Sequence, residues 1–337
     1  MFVKKINTNF LFNYLFIQVL VHIVYRVTFL DQVEEHFNIS KNLFSETGSL
    51  TQFFIESPLL LILGNVLNIE TLDRYLIITY LFAQIFILLI CLELDFLGDY
   101  SSLFLISGWV VTISWFVGYV DILSVYILVL ICKRILLNNV DKTLFFLFLI
   151  LTLNHYAISL FSIITIWVLY IHKNVKNYFM FSITPFIFGF FIMNRFLNYI
   201  NFSGRSRIRF IFNDGVLQSS VNFISNNFLE YLWSGFLGLI FLFLYLLFIK
   251  PWKQSRQYLI SLLIMITATS LGLDTSRIFS ILLIPLILKI IYDFKNYQVQ
   301  PLFFKASLFL VVVSTLFFEE RHIYGTIRNE SPHLESF

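Results

Sequence analysis

Three carboxylates stand close together after the first apolar run, in Arg26-Val-Thr-Phe-Leu-Asp31-Gln-Val-Glu34-Glu35-His36. Asp31, Glu34 and Glu35 are spaced i, i+3, i+4, so one helical turn puts them on one side. A carboxylate placed there can act as a general base, taking the proton from an acceptor hydroxyl as it attacks. A second group is cationic. Arg205, Arg207 and Arg209 alternate, so an extended strand points all three the same way. A guanidinium is a planar fork that grips phosphate with paired bonds and stabilises charge growing on a departing phosphate. Three polar breaks complete the set: Gly118-Tyr-Val-Asp121, Asn154-His155-Tyr156 and Asp274-Thr-Ser-Arg277-Ile-Phe.

Each feature has a plainer alternative. The acids and the arginines serve equally as solvated loop faces. Asp121 and His155 serve as caps of short helices. Asp274 and Arg277 serve as a structural i, i+3 pair. What favours chemistry is that all five features fall on one face of a membrane, where ionisable groups are costly and usually functional. Carboxylates and arginines together at that depth suggest transfer of a group from a lipid-linked phosphate. The sequence holds no P-loop, Rossmann glycine pattern, zinc signature or nucleophile elbow.

The elements that must position these residues are membrane helices. The chain has 337 residues, 58% hydrophobic and 13% charged, against about 25% charged in a soluble domain. A bilayer core about 30 Å thick takes about 20 helical residues to cross. Apolar runs that suit this are 9–29, 74–93, 177–195, 230–249, 257–272, 278–292 and 303–318. Stretch 101–136 divides at Gly118–Asp121 into 101–117 and 120–136, and 142–172 divides near Asn154-His155 into two short helices. The expected fold is all-α, a polytopic transmembrane helical bundle of about ten or eleven helices. It forms a single membrane domain over 1–337, with an outer loop at 30–73 and a large outer loop at 196–229. Segment 51–68, with Glu56 and Pro58 inside it, is expected not to span. Tyr14, Gln18 and His22 interrupt the first apolar run and no small-residue cleavage site follows, so it reads as a retained helix. Cys91 and Cys132 lack metal-ligand spacing and read as small buried hydrophobes.

Orientation follows from the cations. With 51–68 outside the membrane core, one face collects eleven lysines with Arg134 and Arg256, and the other collects Lys41 with nine arginines. The lysine face is then cytoplasmic, as is the N-terminus, and the C-terminus lies outside. Lysine suffices to fix topology, whereas a face whose cations are nearly all arginine suits phosphate reading. A net charge of +3 is too small to imply nucleic acid.

With those residues in view, the chain resembles the GT-C superfamily of membrane glycosyltransferases. The resemblance lies in a first helix followed by an outer loop with acidic residues. It continues in a short helix, a polar break with an acid at Gly118-Tyr-Val-Asp121, and a helix ending in Lys133-Arg134, a mannosyltransferase-like layout. The resemblance covers about 25–290 and implies transfer of a sugar from a polyprenyl-phosphate carrier to a glycan, lipid or protein acceptor on the periplasmic or lumenal face. It implies a place in cell-envelope polysaccharide synthesis, most simply in a bacterial inner membrane. Asp31, Glu34 and Glu35 would be catalytic, with a divalent cation as an option. Asp121, His155, Arg205, Arg207, Arg209, Asp274 and Arg277 would bind substrate. The first loop departs from the family in lacking a plain Asp-x-Asp. Rival readings are an O-antigen or exopolysaccharide polymerase, a lipid-linked sugar transporter or flippase, and a non-catalytic envelope subunit.

Overall fold

The computed structural model describes residues 8–28, 33–44, 58–117, 121–170, 175–199, 216–271, 275–296, 309, 313, 322–323 and 327–328. Apart from a two-residue antiparallel bridge between β1 (His322–Ile323) and β2 (Ile327–Arg328), its regular elements are helices. In order these are α1 (Thr8–Val19), α2 (Val33–Lys41), α3 (Pro58–Val66), α4 (Leu72–Glu93), α5 (Ser101–Leu105), α6 (Gly108–Trp115), α7 (Asp121–Leu136) and α8 (Lys142–Tyr170). Then come α9 (Val175–Tyr199), α10 (Val216–Asn226), α11 (Phe228–Phe236), α12 (Leu239–Ile249), α13 (Trp252–Thr269), α14 (Thr275–Leu282) and α15 (Ile284–Asn296). A π-helical turn, Leu20–Val24, extends α1, and a 3-10 stretch, Leu94–Tyr100, follows α4.

Among the described residues, three stretches are long and apolar enough to cross a bilayer: Leu72–Leu105, Lys142–Tyr170 and Val175–Tyr199. On α4, Ile77, Leu81 and Ile85 are exposed while Tyr75, Thr79, Ala83 and Ile87 are buried. Both sets recur every four residues, so one stripe faces the bundle and an equally apolar stripe faces outward, which water would penalise and lipid would not. Such helices mark an integral membrane protein.

Helix α8 has the length of a full span but folds back on itself. In a straight helix residues seven apart are about 10 Å apart along the axis, yet Thr152 Oγ1 lies 2.8 Å from Ser159 Oγ. Tyr178 of α9 likewise touches both arms, its ring beside Phe148 and its hydroxyl donating to the Ile163 carbonyl. The reversal sits at His155, whose φ and ψ of −161° and 91° leave the helical region. The expected break at Asn154-His155 is therefore present, and each arm, near 20 Å at 1.5 Å per residue, is too short to cross alone.

Several expected boundaries change. Stretch 101–117 is not one helix; it breaks at Ile106-Ser107 between α5 and α6. Stretch 230–249 is not a straight span, because α11 and α12 meet at 99°. Leu237, with φ 48° in the left-handed region, makes that corner. The run 278–292 is two helices that abut at Leu283. The loops at 30–73 and 196–229 carry helices α2, α3 and α10, and α9 continues to Tyr199. Within 51–68 the described helix α3 has nine residues, about 13 Å, too short to span. Within 303–318 only Phe309 and Val313 are described.

Close helix crossings lock the interior. A Cβ at Gly108 would meet Gly235 Cα at 2.9 Å and the Ser234 carbonyl closer still, so α6 and α11 touch through backbone. Gly235 in turn lies under Phe279 and Leu283. Small residues at crossings are how membrane helices gain packing when lipid is as apolar as their side chains. Cys91 and Cys132 are free and buried.

Candidate functional site

Most of the described cations sort by end, with Arg134 and Arg256 among the lysines and Lys41 on α2 as exceptions. Lys133 pairs with Glu93 and Asp95 where α4 finishes and α7 finishes. Lys250 and Lys289 pair with Asp293 where α12 and α15 finish. Lys295 donates to the Phe96 carbonyl, and Asn13 of α1 donates to Ser101 Oγ. This is the lysine end. Arg74 opens α4, Arg195 lies near the finish of α9 and Arg277 opens α14, all at the other end.

At that arginine end two of the expected site residues meet. Asp121, the first residue of α7, has Oδ2 3.4 Å from Nη1 of Arg277 in the first turn of α14. Their side chains are 4% and 13% exposed, so the pair is buried. The separation exceeds the roughly 2.7–2.9 Å of a tight charge-assisted bond. The guanidinium also lies over the Phe116 ring, 5.6 Å from its centroid, a cation–π placement. Below it, Ser280 Oγ bonds the Arg277 carbonyl and lies 2.6 Å from Thr112 Oγ1, which ties α14 to α6.

The α8 reversal packs beside Asp121. Asn154 Nδ2 donates to Ser124 Oγ, one turn along α7 from Asp121, at 2.8 Å. His155 is buried, and its Nδ1 accepts the Ile158 N–H at 3.4 Å, closing the start of the second arm. Thus two helical hairpins, α5–α6–α7 and the folded α8, rise from the lysine end and bring their tips together at the arginine end.

The first loop reaches the same place. The Trp115 indole donates to the Tyr25 carbonyl at 2.9 Å, and the Thr28 N–H donates to the Ser114 carbonyl at 2.9 Å. The chain leading to Asp31 is thereby pinned one residue from Phe116, the ring under Arg277. Glu34 and Glu35 open α2, Glu34 exposed and Glu35 half-buried. Helix α2 is held to α3 by Ser40 Oγ to the Leu61 carbonyl and to α4 by Phe37 on Tyr75. Asp31, Arg205, Arg207, Arg209 and Asp274 lie outside the described residues.

The structure adds residues that sequence reading did not single out: Phe116, Ser124, Trp115 and the Thr112–Ser280 pair. Ser124 had a signal, since it falls one helical turn after Asp121. Phe116 had none among 42 phenylalanines. Among the described residues no cluster of three or more His, Cys, Asp or Glu side chains is positioned to hold a metal ion. No protein-family model, curated protein or solved structure matches this chain.

Proposed function

We propose that this protein is a GT-C-like membrane glycosyltransferase that moves a sugar from a polyprenyl-phosphate donor to an acceptor at its arginine end. The observation that carries the reading is the buried Asp121–Arg277 pair where two hairpin tips and the first loop converge. A buried guanidinium held by a carboxylate and an aromatic face is oriented in advance, and its planar fork matches the geometry of a phosphate. The pair's 3.4 Å separation suits a cation that is shared between Asp121 and an incoming anion.

The chemistry balances simply. The acceptor hydroxyl oxygen attacks the anomeric carbon, and the bond from that carbon to the phosphate oxygen breaks. Its electron pair leaves with the polyprenyl phosphate, whose new charge Arg277 and the arginines at 205, 207 and 209 stabilise. The hydroxyl proton passes to a first-loop carboxylate, Asp31 in the first instance. Burial between helix tips keeps water from competing for the sugar.

In the proposed topology the folded α8 enters from the lysine end and returns to it, 51–68 stays at the arginine end, and 303–318 supplies the last crossing. The lysine end is then cytoplasmic, with the N-terminus, and the reaction faces the periplasm or lumen. The test is release of polyprenyl phosphate from a panel of polyprenyl-phosphate hexoses by the purified protein in proteoliposomes. Release that is lost in Arg277→Ala and Arg207→Ala, with weaker donor binding, is the expected result. Transbilayer movement of intact donor without bond cleavage would replace this reading with a transporter.

A further inference from the structure

At the lysine end, about 24 Å along α14 and α15 from Arg277 by helical rise, lies a cavity of about 340 Å³. Its walls carry Lys250, Lys289 and Asp293, with Gln254, Gln257 and Asn296 around them. Lys250 Nζ and the Tyr258 hydroxyl both donate to Asp293 Oδ2, and Lys289 Nζ donates to Oδ1 at 2.7 Å. Two ammoniums therefore share one carboxylate, and the pocket carries a net positive charge. Side-chain amides supply further donors that bear no charge of their own. The first turn of α13, capped by Pro251 with no side-chain bond, opens on the same wall and adds the positive end of a helix dipole.

The surroundings point to a lipid rather than to a solute. Phe248 at the finish of α12 is 87% exposed and Leu263 on α13 is 62% exposed, so outward-facing apolar surface flanks the pocket. Trp252, which opens α13 two residues before the pocket-lining Gln254, is 71% exposed. An exposed indole beside lysines is the arrangement that sits at the headgroup level of a bilayer. Lys253 and Arg256 on the same helix add exposed positive charge. A basic pocket between helices at this depth is suited to the phosphate of an anionic headgroup.

We infer that the cavity between Lys250 and Lys289 binds the phosphate headgroup of an anionic phospholipid, whose chains lie along the exposed faces of α12 and α13. This site is remote from the Asp121–Arg277 pair and does not depend on the activity proposed above.

The experiment is native mass spectrometry of the full-length protein from detergent, loaded with phosphatidylglycerol or phosphatidylcholine, with inorganic phosphate as a competitor. Wild type is expected to retain phosphatidylglycerol selectively, and millimolar phosphate is expected not to displace it. Gln254 is exposed and takes no part in the buried triad, so its variants fold. Gln254→Glu is expected to weaken retention and Gln254→Lys to strengthen it, each by about fivefold, the change one surface charge brings. Lys289→Gln is expected to weaken it as well. Equal retention of the two lipids, or no response to either Gln254 variant, overturns the proposal. Displacement by millimolar phosphate overturns the lipid as the ligand and makes the pocket a free-phosphate site.

Discussion

Asp121 Oδ2 stands 3.4 Å from Arg277 Nη1 and joins the first turn of α7 to the first turn of α14, two helices that are remote in sequence. Removing one partner of a buried pair leaves an uncompensated charge, which costs about 3–5 kcal/mol, whereas replacing both by apolar groups is often neutral. Asp121→Ala alone is therefore expected to lower thermal stability sharply in nanodiscs. The double variant Asp121→Leu with Arg277→Met is expected to recover most of that loss and still release no polyprenyl phosphate. Turnover in the double variant would make the pair structural only.

Asp31 follows the segment that Trp115 and Ser114 pin to the hairpin tip through Tyr25 and Thr28. That anchorage makes it the first choice for the base, with Glu34 and Glu35 one turn on at the start of α2. Asp31→Asn keeps size and hydrogen bonding and cannot take the proton. Expression and donor binding are expected to stay near normal while turnover falls by about 10²–10⁴. Full turnover in Asp31→Asn together with a loss in Glu34→Gln or Glu35→Gln would move the base to α2. Full turnover in all three would take the first loop out of the chemistry.

Some of this arrangement is legible in the residues and some is not. The reversal in α8 shows in the sequence because Asn154 and His155 interrupt an otherwise apolar run, and polar groups in that position need partners such as Ser124. The separation of lysines from arginines along the chain anticipates the two ends of the described bundle, since charge cannot sit unpaid in the apolar middle. The corner at Leu237 escaped because hydropathy records where a chain is apolar, not where it turns. Gly235 and Gly238 were the local hint there. Phe116 escaped because an aromatic ring under a guanidinium looks, in sequence, like any other ring.

Asp141 ties the α7–α8 connection and carries a pH dependence of known sign. Its carboxylate accepts the Thr143 N–H at 2.9 Å, capping α8, and pairs with Arg134. Its slight burial pushes the carboxyl up, and the bonds from Thr143 and Arg134 more than reverse this, holding it below the ordinary carboxylate range. A depressed folded value means that the contribution is complete above the ordinary carboxylate pKa and is lost as pH falls through the folded value. Asp141→Ala is expected to lower stability at pH 7 by about 1 kcal/mol and to flatten the acid limb of unfolding measured from pH 7 to pH 3. Asp141→Asn, which still caps, is expected to lose less at pH 7 and to flatten the acid limb equally. An unchanged acid limb in both variants would assign that limb to other groups.

Orientation is the prediction on which the direction of the reaction rests. Gln254 is exposed in the first turn of α13, at the end that holds Lys250 and Lys289. Gly204 stands beside Arg205 in the segment that follows α9, whose finish lies at the opposite end. Cys91 and Cys132 are both buried, so background reaction with a maleimide is low in the native chain. Lysines retained on the cytoplasmic side set the orientation of short loops, and the lysine end is the one that holds Gln254. A membrane-impermeant maleimide applied to intact cells is therefore expected to label Gly204→Cys. Gln254→Cys is expected to react only after the membrane is permeabilised. The reverse pattern would put Asp121, Arg277 and the first-loop acids in the cytoplasm, where sugar donors are soluble nucleotides rather than lipid-linked. The glycosyltransferase reading at an outer face would then be lost, while the lipid pocket at the lysine end would stand on its own test.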